Sequence, residues 1–193
     1  MSPIKAVTVF CGAQSGRLPD HLAAAEALGA GLAEAGIRLV YGGGRVGMMG
    51  RVADAALAAG GQVTGVIPDF LTRLEVAHSG ASEMIVTDSM HTRKRRMFDL
   101  ADAFITMPGG LGTLDETFEI LTWRQLGLHD KPILLCDIVG SARPLVATIE
   151  AAIAEGFARP EIRRLYEVVE GVPALLARLA SLSAGAAGAS ALL

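Results

Sequence analysis

The chain has 193 residues, enough for one well-buried core and too few for two ordinary domains. Its 17 basic and 20 acidic side chains leave a formal net charge of −3, which excludes a surface that attracts nucleic acid as a whole. The hydrophobic content of 51% is carried largely by alanine dispersed through helical stretches, and no apolar run is long enough to span a bilayer, so a membrane protein is excluded and a soluble one expected.

Strand-like and helical patterns alternate along the chain. A strand is expected over 6–11, directly after Met1-Ser2-Pro3-Ile4-Lys5, which lacks the apolar core and cleavage site of a signal peptide; the expected location is cytoplasmic. A helix over 20–35 stops at Gly36, a strand follows at 38–41, and a helix over 48–59 stops at the Gly60-Gly61 pair. Strands are then expected at 63–67 and 84–86, a helix at 90–100, a strand at 103–107 and a helix at 113–126. A strand at 133–136 and a helix at 142–155 complete the regular pattern. Beyond residue 155 only short helical pieces remain, around 161–166 and 173–182, ahead of a Ser/Ala/Gly tail. The expected architecture is one α/β domain over 1–182, a Rossmann-like doubly wound parallel sheet with helices on both faces, with 183–193 a mobile tail. Cys11 and Cys136 each close an expected strand and read as reduced core residues.

Two glycine-rich turns fall at carboxyl ends of strands, where open parallel sheets bind ligands. One is Tyr41-Gly42-Gly43-Gly44-Arg45-Val46-Gly47-Met48-Met49-Gly50; the other is Pro108-Gly109-Gly110-Leu111-Gly112-Thr113. Glycine lets the backbone approach a ligand, and the helix that follows offers unpaired N–H groups to a phosphate. Gly42, Gly44 and Gly47 also satisfy the dinucleotide fingerprint, with Asp69 near the end of the next strand, so an NAD(P)-dependent oxidoreductase competes. Against it, the match follows the second strand rather than the first, and the chain leaves little room for a substrate domain.

Residues 93–96 form the one dense basic run, and on a helix from Met90 the stripe Met90, Arg93, Lys94, Met97 places two cations beside two methionines. An ordinary solvated face accounts for that stripe; an inward-facing one demands an anionic partner, because an unpaired buried charge is costly. Thr113-Leu114-Asp115-Glu116 reads as a capping box, with Thr113 at the N-cap and Glu116 three residues on. The alternative places Glu116 within reach of whatever the glycine loop holds. Met48, Met49 and Met107 fit either a pocket wall or, more ordinarily, core.

Taken together, Pro108 through Glu116 and the upstream Met90-His91-Thr92-Arg93-Lys94 resemble the paired motifs of the LONELY GUY (LOG) family. These are cytokinin riboside 5′-monophosphate phosphoribohydrolases, often mislabelled as lysine decarboxylases. The resemblance extends through Val9-Phe10-Cys11-Gly12, the Tyr41 to Gly50 loop, Thr122-Trp123-Arg124-Gln125-Leu126-Gly127 and His129-Asp130-Lys131-Pro132, most of the chain up to the late helices. The chain departs from the family at Ala13 and Gln14, where serines are frequent, and at Arg73-Leu74-Glu75, where plant members read Pro-Arg-Glu.

The resemblance implies a homodimeric enzyme that takes a nucleoside 5′-monophosphate and cleaves its N-glycosidic bond with neither metal nor organic cofactor. By position it implies Arg93 and Glu116 as the catalytic pair, Gly110, Leu111, Gly112 and Thr113 as the substrate loop, and Glu75, Lys94 and Thr122 as further substrate contacts. Gly42, Gly43, Gly44 and Gly47 form a secondary glycine loop. Departure of the base leaves positive charge on the sugar, so a fixed carboxylate beside the anomeric carbon is the expected stabiliser. Glu116 can serve through the sugar hydroxyls, the developing charge or the attacking water. Two other classes stay open: a carrier that binds a nucleotide or cofactor without cleaving it, and a pyridoxal decarboxylase, for which only Lys5, Lys94 and Lys131 are available.

Overall fold

The computed structural model describes residues 3–72 and 77–190. Seven parallel strands form one sheet: β1 (Ala6–Phe10), β2 (Arg38–Tyr41), β3 (Val63–Pro68), β4 (Glu83–Thr87), β5 (Ala103–Thr106), β6 (Ile133–Asp137) and β7 (Glu167–Glu170), in the order β4-β3-β2-β1-β5-β6-β7. The chain winds outward from β1 to β4, then jumps to the other side of β1 and winds outward again from β5 to β7. That reversal puts a topological switch point between β1 and β5, where the loops at the strand ends part and leave a crevice.

Alternation along the strands feeds two cores. Val7, Val9, Leu39, Tyr41, Ile105 and Leu134 pack on one face beneath helices α1 (Pro19–Glu34), α2 (Gly47–Ala58) and α6 (Gly171–Ser190). Phe10, Val40, Val66, Phe104 and Leu135 pack on the other beneath α3 (Met90–Leu100), α4 (Leu111–Gln125) and α5 (Arg143–Ala154). Burial on both faces is why these strands read as continuous apolar runs. The alanine content also has a use. A Cβ on Gly29 would strike the Val52 carbonyl and stand 3.0 Å from the Ala55 methyl, so small residues let α1 and α2 meet almost backbone to backbone.

The early elements match their sequence patterns to within a residue or two at the ends, as helix and strand boundaries usually do. Two differences matter. The chain after residue 155 contains β7, an edge strand that the pattern did not suggest: it buries only Val169 between acidic ends, so it has no alternation to read. Helix α6 begins at Gly171 and runs to Ser190, well past the 173–182 piece; its alanine-rich second half is favourable helix sequence, and Pro173 is tolerated in the first turn. Among the described residues no helix is long and apolar enough to cross a membrane.

Candidate active site

Helix α3 begins where Ser89 accepts a hydrogen bond from the Thr92 amide at 3.1 Å, an N-cap that fixes which residues face the sheet. Arg93 is one of them and is 5% exposed, with Met97 fully buried beside it; the solvated-face expectation therefore fails for Arg93, the first residue of the basic run. The guanidinium is satisfied by backbone. Its Nε donates to the Val66 carbonyl at 3.1 Å and its Nη2 to the Gly42 carbonyl at 3.2 Å, while Nη1 points to the Met90 sulfur at 3.7 Å. The Gly42 carbonyl lies just past the end of β2, and Val66 is the β3 residue that follows the last one paired with β2. Lys94, the next residue, turns outward to Asp115 at 3.1 Å and Glu119 at 3.0 Å on α4. Burial alone would lower its pKa, but the bonds to Glu119 and Asp115 outweigh it and the net shift is upward.

Helix α4 starts at Leu111, with Gly110 as its N-cap and no side-chain cap. Thr113 is thus the third helical residue and not the cap, and Glu116 is no member of a capping box. Glycine at the cap position is what leaves the first turn open. The amides of Leu111, Gly112 and Thr113 have no partner among the described residues, so the helix presents free donors and the positive end of its dipole at the surface. One turn further, Glu116 is 8% exposed and its Oε1 stands 3.9 Å from Arg93 Nη2. The turn is tied to the sheet through Thr117, whose hydroxyl donates to the Thr113 carbonyl at 2.7 Å and, its proton so used, accepts from Thr106 at 2.9 Å.

The loop at Gly42 to Gly50 shares this edge of the sheet but is occupied differently. Gly42, Gly43 and Gly44 are buried, and the amides of Met48 and Met49 both donate to the Gly12 carbonyl, at 3.1 and 3.2 Å. Gly47, at φ +62°, passes so close to the Ala13 carbonyl that a Cβ there would collide. The start of α2 is therefore spent on bracing the β1–α1 loop, which leaves no open pyrophosphate site for the dinucleotide fingerprint. Asp69 sits exposed on a short 3₁₀ turn after β3.

A cleft of about 350 Å³ lies at the switch point, walled by Gly12, Gln14, His21, Met48, Gly110 and Ser141 among others. A smaller apolar annex of about 140 Å³ continues from it past Ser141, between Thr113, Leu114 and Leu145. Arg93 and Glu116 do not line the cleft. They stand on the α3/α4 side of the strand ends, and the first turns of α4 connect the two, with Gly110 at the cleft wall and Glu116 a turn and a half along the helix. Of the remaining expected residues, Thr122 is exposed on α4 with its hydroxyl turned back to the Phe118 carbonyl at 2.7 Å, and Glu75 lies outside the described residues. Met48, Met49 and Met107 are core, though Met48 also reaches the cleft. Both cysteines are free and buried, and burial pushes the Cys136 thiol up to about 12. His21 and Ser141 carried no motif; only their neighbourhood to the switch point marks them.

Comparisons with known proteins place the chain in a family. Residues 49–179 match a family model described as possible lysine decarboxylase. The chain is 48% identical over 178 residues to a cytokinin riboside 5′-monophosphate phosphoribohydrolase of Rhodococcoides fascians, covering 92% of this chain and 90% of that protein. It is 45% identical over 164 residues to the cytokinin riboside 5′-monophosphate phosphoribohydrolase LOG7 of Arabidopsis thaliana, covering 85% and 76%. Among solved structures, the molybdenum cofactor binding protein of Rippkaea orientalis superposes with a TM-score of 0.71 over 94% of this chain and 98% of that one; at 23% identity this likeness is one of fold. The chain belongs to the LOG family, whose curated members are named cytokinin riboside 5′-monophosphate phosphoribohydrolases.

Proposed function

We propose that this chain hydrolyses the N-glycosidic bond of adenosine 5′-monophosphates, plain or N6-modified, to release the free base and ribose 5-phosphate. The observation that carries this reading is a buried arginine–carboxylate pair one turn beyond an uncapped helix N-terminus. The open amides of Gly112 and Thr113 suit a phosphate, and Glu116 suits the sugar end of the same ligand. Water supplies the hydroxyl that joins C1′ and the proton that leaves with the base. Arg93, locked by the Val66 and Gly42 carbonyls, is a fixed positive charge that orients the Glu116 carboxylate; a preorganised carboxylate of this kind stabilises a cationic sugar without reorganising during reaction. Phosphate held at a distance positions the anomeric carbon. Lys94 and Thr122, and Glu75, join as substrate contacts on the strength of the family motif.

The arrangement does not fit a pyridoxal decarboxylase. Lys94 is held as an ammonium by two carboxylates, Lys131 donates to the Phe98 carbonyl at 2.7 Å with its Nζ 4.1 Å from the Phe98 ring centroid, and Lys5 precedes β1 at the opposite edge of the sheet. None is a Schiff-base lysine facing the cleft. The protein is further read as a cytoplasmic homodimer with no nucleic acid or membrane partner, which light scattering and fractionation test directly.

The decisive assay follows free base and ribose 5-phosphate by chromatography from AMP and from N6-isopentenyladenosine monophosphate. Wild type should release base, and Glu116→Gln should lose on the order of a hundredfold or more in kcat while staying folded. Equal turnover by the variant would remove Glu116 from the chemistry; intact nucleotide bound in every tube would make the protein a carrier.

A further inference from the structure

The cleft has one basic side chain among its lining residues, and neither the glycine loops nor the family motif assigns it a role. His21 lies in the first turn of α1, its amide donating to the Leu18 carbonyl at 3.2 Å, and its ring is half-buried at the cleft wall. The ring lies on Gly16, which holds φ +71°: a Cβ at that position would stand 2.5 Å from His21 Nδ1, so glycine is what admits the imidazole there. Neither ring nitrogen has a hydrogen-bond partner among the described residues. The contrast with two other histidines is plain. His78 has Nε2 on Asp54 at 2.9 Å and Nδ1 accepting from the Gly80 amide, and His129 is committed to the Ile120 carbonyl.

We propose that His21 is an anion-binding residue of the cleft, its ring N–H donating to a phosphomonoester that the α4 N-terminus also faces. The proposal rests on the reading that the cleft takes the 5′-phosphate of a nucleotide. Gly110 at the cap of α4 lines the same volume, together with Gln14 and Ser141, and no carboxylate is among the lining residues. The charged groups on the surrounding elements include Arg17 and Asp20 on the segment of His21 itself, Arg45 on the β2–α2 loop, Asp115 and Glu116 early in α4, paired with Lys94 and Arg93, and Asp137 and Arg143 at the β6–α5 turn. Asp137 is spent on the Ala142 amide at 2.9 Å, and the Arg143 guanidinium lies against Gly140. Arg17 and Arg45 are exposed and neither lines the cleft, so the imidazole is the basic side chain in its wall, and its ring N–H can donate to a phosphate there.

Inorganic sulfate tests this without nucleotide chemistry. Calorimetric titration of untagged protein at one pH and constant ionic strength should show wild type binding sulfate about tenfold more tightly than His21→Gln. His21→Lys, which restores a cationic donor at the same wall, should recover most of that affinity. Equal sulfate affinity of wild type and His21→Gln, or no recovery by His21→Lys, overturns the proposal. In the hydrolysis assay His21→Gln should raise KM for AMP about tenfold with kcat changed far less; a kcat loss with KM unchanged also overturns it. Absence of base release from wild type with the sulfate difference intact would sink the hydrolase reading and leave the anion site standing.

Discussion

Gly42 accepts a hydrogen bond from Arg93 through its carbonyl and makes room for the same guanidinium through its missing side chain, since a Cβ there would fall on Arg93 Nη2 and stand 2.9 Å from the Met49 sulfur. Its φ lies outside the left-handed region, so alanine is conformationally acceptable and the cost of Gly42→Ala is displacement of Arg93. The expected result is a loss of about tenfold or more in kcat, with about 1–3 kcal/mol of stability lost to overpacking. Gly110→Ala is the contrasting case. A Cβ on Gly110 meets nothing within 4 Å, so it should leave the melting temperature unchanged and raise KM for nucleotide, because only a ligand is there to be pushed. Parallel kinetics and thermal melts check both; a Gly110→Ala enzyme with normal KM would move the phosphate away from this loop.

Removing one partner of the Arg93–Glu116 pair should be worse than removing both charges. Arg93→Met takes the guanidinium away from the buried Glu116 carboxylate and leaves the Val66 and Gly42 carbonyls without that donor, at an expected cost of about 3–5 kcal/mol. Adding Glu116→Gln to Arg93→Met should recover part of that loss. Urea unfolding of the two single variants and the double one gives the coupling energy, and strictly additive effects would mean that the pair, at 3.9 Å, does not interact.

Lys94 bridges α3 to α4 through Asp115 and Glu119, with its side chain 17% exposed and those partners 57% and 22% exposed. Lys94→Met should cost about 1 kcal/mol or less, since such pairs are partly screened. A substrate contact at Lys94 additionally predicts a higher KM for nucleotide at nearly constant kcat. Unchanged KM would confine this lysine to its structural role.

Stability should fall on mild acidification, and His129 should account for part of the fall. Burial holds its pKa below the ordinary histidine range; the bond to the Ile120 carbonyl opposes this, while Arg124 and Lys131 reinforce it and Asp130 opposes it. With Nε2 donating to Ile120, protonation would fall on Nδ1, which is buried and has no partner among the described residues. The folded-state pKa lies below the unfolded one, so between them the unfolded chain binds more protons and stability decreases as pH falls through about 6.5. Denaturant unfolding at a series of pH values should show a shallower acid slope for His129→Gln than for wild type; identical slopes would assign the effect elsewhere.

Much of this molecule is legible before it folds. Strands buried on both faces write themselves as unbroken apolar runs, as in Ile133 to Cys136, and the intervening amphipathic helices oblige a parallel sheet. The glycine loop ahead of Glu116 likewise announces an open strand-to-helix turn. What the linear pattern misassigned were features with two local explanations. Thr113 and Glu116 have capping-box spacing, yet the cap falls three residues earlier, on Gly110; the edge strand β7 buries too little to leave a periodic trace.

Sequence alone determined the first six strands, the helices between them, the parallel sheet they compel and the identities of the charged groups near its carboxyl edge, because these depend on periodicity and local backbone preference. Only the tertiary structure decided that Arg93 is buried against Gly42, Val66 and Glu116, that one glycine loop is spent on packing while the other keeps its amides open, and that His21 and Gly110 line one cleft. Those outcomes join residues far apart in the chain, 51 and 27 positions for the two carbonyls that hold Arg93. Their burial and hydrogen bonding are set by which strand ends the sheet order brings together, and no local pattern carries that information.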